Sequence, residues 1–373
     1  MACPEGYYKD LLGSGPCLLC AAERWANLTG QEVCPVNQDL ALCSTATCRF
    51  QTLARTDLDV SALSSGLLVP SAMSLLDATS LLLSIPNGRQ LIGIDTFTGD
   101  CILSLRDERS LSTDACATVY QAPVSSATGL VVSQSGHVLF ADTGSLVIRS
   151  FVPFSAALGG SVDKVDQVLP LTGIGLSAGE RVLHGPVSLA LSSSEDTLYI
   201  LDKNRVLNVS LLDSTYPTSV VAGQLAAGFA DGIGSRAAFH SPKALVLAHS
   251  LGPNTGIIYV TDFRAHRVRQ IDVATKKVTT LAGYPWKQGM EDGVGSKARF
   301  MAPLALALTS DHQRLFVTDY EANTIRVIDV ASRTVSTLMS TPPQTASLVL
   351  SSSPGPLQAR IDSLFLASQV SKI

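Results

Sequence analysis

The chain has 373 residues, 46% of them hydrophobic and 16% charged, and a formal net charge of −4 at pH 7. That composition buries a large apolar surface and excludes a disordered chain; the lack of a basic excess excludes nucleic acid as the default partner. The most apolar stretch, residues 67–85, is broken by Pro70 and Asp77, so no direct membrane span is expected.

The first element is a cysteine module over residues 1–48, holding Cys3, Cys17, Cys20, Cys34, Cys43 and Cys48. An even cluster in a segment too short for its own core reads as a disulfide framework, which places the chain in an oxidising compartment: secreted, extracellular or luminal. Zinc is the competing reading, because Cys17 and Cys20 form a C-x2-C pair. Against it, Cys43 and Cys48 are spaced more widely and no histidine lies nearby. The run Cys3-Pro4-Glu5-Gly6-Tyr7-Tyr8, followed by Cys17 and Cys20, resembles the ephrin-receptor-like cysteine-rich repeats of extracellular proteins. That resemblance implies the pairs Cys3–Cys17 and Cys20–Cys34 and leaves Cys43 with Cys48. The residues alone leave all fifteen pairings of six cysteines open. Asn27 and Asn208 begin glycosylation sequons. Met1 is followed at once by Ala2-Cys3-Pro4, without a basic start or an apolar core. An oxidising compartment then implies a mature chain or a piece of a longer one.

Residues 49–373 read as one repeating domain. Asp142, Asp202, Asp262 and Asp319 each end an apolar strand, and they recur about every 60 residues. Leu81–Ser84 is an earlier, degenerate copy of that strand, and Ala346–Leu350 with Ser363–Ser368 starts a sixth. A period of this size filled with short strands predicts a β-propeller. Pro123, Pro186, Pro242 and Pro303 each precede a strand of leucine interleaved with small residues, which suits strands crowded around a central axis. Arg49-Phe50-Gln51-Thr52-Leu53-Ala54 matches the outer strands expected at residues 277–282 and 334–339. The final repeat has no such strand, so the expected fold is all-β with six blades, the last closed by residues 49–54. Cys101 and Cys116, 15 residues apart, are two further disulfide candidates.

Two repeats match closely: Ala222-Gly223 … Asp231-Gly232-Ile233-Gly234-Ser235 … Phe239 … Pro242 … Thr261-Asp262 … Arg269-Gln270-Ile271-Asp272, and Ala282-Gly283 … Asp292-Gly293-Val294-Gly295-Ser296 … Phe300 … Pro303 … Thr318-Asp319 … Arg326-Val327-Ile328-Asp329. This pattern resembles NHL-repeat proteins. The resemblance implies a six-bladed propeller serving as a binding platform, with no particular ligand.

Several motifs compete for function. The Asp231 and Asp292 segments lack the alternating acids of a calcium loop and the Gly-Lys-Ser/Thr of a phosphate loop, so they read as glycine turns whose Asp bonds nearby amides. Asp142, Asp202, Asp262 and Asp319 read as turn caps. His184 and His240 each lie two residues before a blade-starting proline, where a metal site at the channel mouth could form. The matching position in the next blade is Met301. In the peptide-amidating lyases, which resemble NHL propellers, zinc-binding histidines follow such a proline; here Val187, Lys243 and Leu304 stand there, so that site does not carry over. The apolar inner strands likewise depart from the calcium-binding carboxylates of lactonase-like six-bladed hydrolases, and no motif of a serine, zinc or cysteine enzyme is present. Arg264, His266, Arg267 and Arg269, with Lys276, Lys277 and Lys287, concentrate positive charge in the fourth blade: a face for an acidic partner, or a solvated edge. Trp25 and Trp286 are the candidate contact anchors. The expectation is a non-enzymatic extracellular or luminal module, with no cofactor, that presents its loops to a protein partner or a neighbouring subunit. The alternative is a metal-dependent hydrolase or lyase at the channel mouth.

Overall fold

The computed structural model describes residues 71–77, 80–86, 89–95, 101–107, 116, 118–153, 167–173, 182–249, 255–340, 345–352 and 361–368, and the short antiparallel pair Tyr7–Tyr8 with Leu18–Leu19. The remaining cysteine-module positions, including Cys3, Cys17, Cys20, Cys34, Cys43, Cys48, Trp25 and Asn27, lie outside these residues, as does Phe50 to Ala54.

Alternating apolar strands separated by polar turns fold into consecutive antiparallel meanders. Blade one runs Ala72–Leu75, Ser80–Ile85, Gln90–Asp95 and Cys101–Arg106. Blade two runs Ala127–Val132, Val138–Asp142, Val147–Phe151 and Gln167–Val168, and blade three Pro186–Leu191, Thr197–Asp202, Arg205–Ser210 and Pro217–Gly223. Blade four runs Pro242–His249, Gly256–Asp262, Arg267–Asp272 and Lys277–Gly283, and blade five Pro303–Leu308, Arg314–Asp319, Thr324–Asp329 and Thr334–Ser340. Pro186, Pro242 and Pro303 open their inner strands as expected; Pro123 lies a few residues ahead of its strand at Ala127.

The expected number of blades is corrected from six to five. In the last sector, among the described residues, Thr345–Ser352 and Ile361–Ser368 form a two-stranded sheet. Its first strand lies between the inner strands of blade five and blade one, so a hairpin fills the interval between them. The period counts strand starts, and a start with one partner scores like a start with three.

A second departure concerns the D-G-x-G segments. Gly232–Ile233 pairs with Lys277-Val278, and Gly293–Val294 with Thr334-Val335, so each segment is a two-residue fifth strand on the outer edge of its blade. Strands this short cover an edge without offering a long template for further pairing.

The core lies between successive blades. Phe140, Phe239, Phe300 and Phe316 are buried, and each contributes about 2–3 kcal/mol of apolar burial. Inner strands approach closely: a Cβ on Gly129 would sit 2.6 Å from the Val187 carbonyl oxygen of the next blade. Cys101 and Cys116 form a disulfide, Cα atoms 4.7 Å apart, that ties the start of the fourth strand of blade one to the segment before Thr118–Gln121, a fifth strand paired to it in parallel.

A candidate interaction face

Strand register fixes which loops share a face. Pro186 pairs with Asp202, Pro242 with Asp262 and Pro303 with Asp319, so in each blade the loop entering the inner strand and the turn leaving the second strand emerge at the same end. Bonds between blades join these ends. Thr261 Oγ1 donates to the Leu304 carbonyl at 2.8 Å, His266 Nδ1 to the Met301 carbonyl at 2.6 Å, and the Leu245 amide to Ser188 Oγ at 3.1 Å.

Beneath this face lie Asp142, Asp202, Asp262 and Asp319, all fully buried. Their main partners lie outside the turn that follows, although Asp142 also bonds Ser145 within it. Each accepts from backbone amides ahead of its own inner strand: Ser126 to Asp142 at 2.8 Å, His184 and Gly185 to Asp202 at 2.7 and 2.8 Å, His240 to Asp262 at 2.7 Å, and Ala302 to Asp319 at 2.6 Å. Each also meets an arginine of the third strand. Arg149 reaches Asp142 at 3.0 Å, Arg205 reaches Asp202 at 2.8 Å, Arg269 reaches Asp262 at 3.0 Å and Arg326 reaches Asp319 at 3.5 Å. The carboxylate pins the loop entering the inner strand, and the arginine neutralises the carboxylate. Burial alone would raise the Asp142 carboxyl, but the Ser126 amide, Ser145, Arg149 and the Ser125 amide hold it below its ordinary value. At Asp262 and Asp319 burial wins over the same kinds of partner, and both carboxyls sit above it.

The arginine also ties in the D-G-x-G segment. Arg269 reaches Asp231 at 2.5 Å and lies 4.9 Å from the Phe239 ring centre; Arg326 reaches Asp292 at 2.7 Å and lies 5.1 Å from that of Phe300. Asp231 and Asp292 also accept from the amides of Thr280 and Thr337 on the outer strands. These acids are therefore structural, as expected, although their partners lie across the blade and not within the turn.

The candidate residues separate on this scaffold. His184 Nδ1 lies 3.2 Å from Arg205 Nη2. A guanidinium only donates, so this nitrogen accepts and the ring carries its proton on Nε2. That bond engages Nδ1 within its own blade. His240 holds Asp262 through its amide, and its ring stands edge-on to Phe229 with centres 5.0 Å apart. Among the described residues no three His, Cys, Asp or Glu side chains gather as a metal-ligating group. Arg267 is buried, with its guanidinium on Asp262 and on the Phe229 carbonyl at 2.7 Å, so it supports the face from below. Asn208 lies in the third strand of blade three, where its Oδ1 accepts from Ser219 Oγ at 2.5 Å.

Trp286 and Arg264 stand on the surface. Trp286 is 69% exposed, and its ring lies 3.7 Å from that of Phe229, in the loop of the preceding blade. Beside it Tyr284 is exposed, with Lys287 and Arg299 over its ring at 5.6 and 5.1 Å. Arg264 and Lys243 both lie over the Phe263 ring, at 5.6 and 5.7 Å. Water reaches Lys243, but enough protein surrounds its stem that desolvation, and then Arg264, hold its ammonium below the ordinary range. Sequence reasoning missed Phe229 and Phe263 and the pairing of Lys243 with Arg264. The available signal was their chemistry: aromatic and cationic side chains at loop positions that differ from blade to blade.

No family profile matches the chain. It is 38% identical over 100 residues to the chloroplastic protein SUPPRESSOR OF QUENCHING 1 of Arabidopsis thaliana, covering 27% of this chain and 9% of that protein. It is 29% identical over 158 residues to NHL repeat-containing protein 2 of Bos taurus, covering 40% of this chain and 21% of that protein. The chain thus spans less than a quarter of the length of either relative. Among solved structures, an auxiliary nutrient binding protein from Bacteroides ovatus superposes with a TM-score of 0.50 at 16% identity, covering 71% of this chain and 58% of that one. Among the described residues no helix is long and apolar enough to cross a membrane. The repeated sequence pattern, the meanders it folds into and the NHL-repeat relatives together make this chain an NHL-like β-propeller.

Proposed function

We propose that the chain is a non-enzymatic protein-interaction module. On this reading residues 49–373 form a rigid platform, residues 1–48 a disulfide-bonded cap, and the loops of blades three to five meet a protein partner. The observation that carries it is Trp286: a large aromatic side chain, mostly exposed, stacked on Phe229 from the neighbouring loop. Left in water, that surface costs free energy; covered by a partner, it supplies the aromatic anchor that dominates interface energetics. The platform beneath it is held by buried ion pairs, so little loop entropy is lost on binding. Cys101–Cys116 supports an oxidising compartment, hence an extracellular or luminal setting.

The test is quantitative affinity purification with the intact chain and with Trp286→Ala, followed by calorimetry with each purified protein that distinguishes them. A partner retained by the intact chain should bind at least about tenfold more weakly to the variant. If no protein separates the two baits, Trp286 is not an anchor and the reading fails.

A further inference from the structure

The repeat accounts for most of the face but not for the entrance to blade four. Lys243 follows Pro242, and Arg264 lies in the turn after the second strand of the same blade; the two side chains share the Phe263 ring. Among the described residues neither meets a carboxylate. The nearby Asp262 is already committed to Arg267, Arg269 and the His240 amide. Two like charges held together in a partly desolvated place repel each other, which offsets what each gains over the Phe263 ring. Nor does the architecture demand it: Val187 and Leu304 stand where Lys243 does, and Glu321 stands where Arg264 does in blade five. A cationic pair without an internal counter-charge, at an accessible mouth, is complementary to an external anion.

The surroundings indicate what carries that anion. The Arg264 amide donates to the His240 carbonyl at 3.1 Å, the His240 ring packs edge-on against Phe229, and Phe229 carries Trp286. These contacts join the two cations to half-buried Phe229 and exposed Trp286. A free anion uses the first part only; a peptide with an acid beside an apolar side chain uses both.

We propose that this surface binds an acidic segment of a protein partner, with a Glu or Asp carboxylate between Lys243 and Arg264 and an adjacent apolar side chain on Trp286 and Phe229. The proposal rests on the protein-binding reading above and adds the chemistry of the partner. Arg264 and Lys243 supply the charge, and the planar guanidinium offers a carboxylate two parallel N–H donors.

The experiment is fluorescence anisotropy on the full chain with two labelled octapeptides, one alternating glutamate with leucine and the other glutamine with leucine. The glutamate peptide should bind about tenfold more tightly, and the difference should shrink as salt is raised. Lys243→Gln with Arg264→Gln should erase the difference while leaving the unfolding midpoint in place, because both side chains reach water. Trp286→Ala should weaken both peptides alike. Equal binding of the two peptides to the intact chain, or an undiminished preference in the double variant, overturns the acidic-segment proposal and leaves the aromatic platform standing. Displacement of the glutamate peptide by inorganic phosphate, at concentrations where acetate does not displace it, also overturns the proposal in favour of a phosphate site. If neither peptide binds up to millimolar concentration while phosphate or acetate quenches Trp286, the platform reading fails together with it.

Discussion

Arg269→Met removes the cation that links three parts of blade four while keeping an unbranched apolar stem. The wild-type guanidinium is fully buried; it bonds Asp262 at 3.0 Å, the Ala238 and Ala230 carbonyls at 3.1 and 2.9 Å, and Asp231 at 2.5 Å. Breaking a buried ion pair from one side costs about 3–5 kcal/mol, because the other charge stays behind. Asp262 would keep Arg267 and the His240 amide, which lowers that figure; the two carbonyls would lose their donor, at about 1 kcal/mol each, which raises it. A loss of about 4 kcal/mol follows. With unfolding entropy near 2.1 cal/mol/K per residue over roughly 300 residues, Tm should fall by about 6 °C. The pH dependence is the sharper readout. Burial raises the Asp262 carboxyl, and Arg269, the His240 amide and Arg267 oppose it. Without Arg269 it rises further. A carboxyl raised in the folded state holds its proton more tightly there, so stability falls as pH climbs from the unfolded value, about 4, through the folded one. Urea unfolding followed by circular dichroism should therefore show a deficit that is smaller near pH 4 and widens towards pH 7, and Asp262→Asn in the same chain should narrow it at pH 7. A deficit under about 1 kcal/mol, or one that does not change with pH, would refute the account of Asp262 as a buried charge that needs Arg269.

Three further outcomes are expected. Gly283→Ala should cost about 1–3 kcal/mol in chemical unfolding, because φ is +93° and a Cβ would lie 2.6 Å from the His266 carbonyl; Gly136→Ala, at φ +81° with open space around it, should cost less. Cys101→Ser with Cys116→Ser should lose about 3 kcal/mol for a sequence separation of 15, and the difference from the parent should vanish when reductant is added to both. Asp142→Asn should destabilise at neutral pH. Because the Asp142 carboxyl is held below its ordinary value, its contribution is present above the unfolded value and lost as pH falls through the folded one, so melts taken at decreasing pH should converge with those of the parent.

The architecture was legible wherever spacing along the chain encodes it. Asp202, Asp262 and Asp319 mark the ends of second strands, and Pro186, Pro242 and Pro303 mark the starts of inner ones. What the spacing does not encode is the partner across the blade. Asp262 accepts the His240 amide, 22 residues earlier, which no local rule about turns anticipates. The arginines at the third strand were the available clue, since a buried acid requires a counter-charge. Gly232–Ile233 went unseen as a strand because two residues are too few to show alternation. The blade count failed for a related reason: residues 345–352 look like any other inner strand, and only their pairing shows that a single partner follows among the described residues.

What holds the propeller is separate from what it offers. Residues that recur, such as Phe239 with Phe300, Arg269 with Arg326 and Asp231 with Asp292, occupy matching positions and make matching bonds; blades four and five solve the same packing problem in the same way. A partner needs something that a ring of repeats cannot supply: one place unlike the others. That place is where the pattern breaks. The loop into blade five is one residue longer between Gly283 and Asp292 than its counterpart between Gly223 and Asp231, and the longer loop carries Trp286 with a φ of +69°. Phe229 aligns with Met290, and Lys243 with Val187 and Leu304. None of these side chains belongs to the buried core, so substitution there should change recognition without unfolding the blade, whereas substitution of the recurring set should do the reverse.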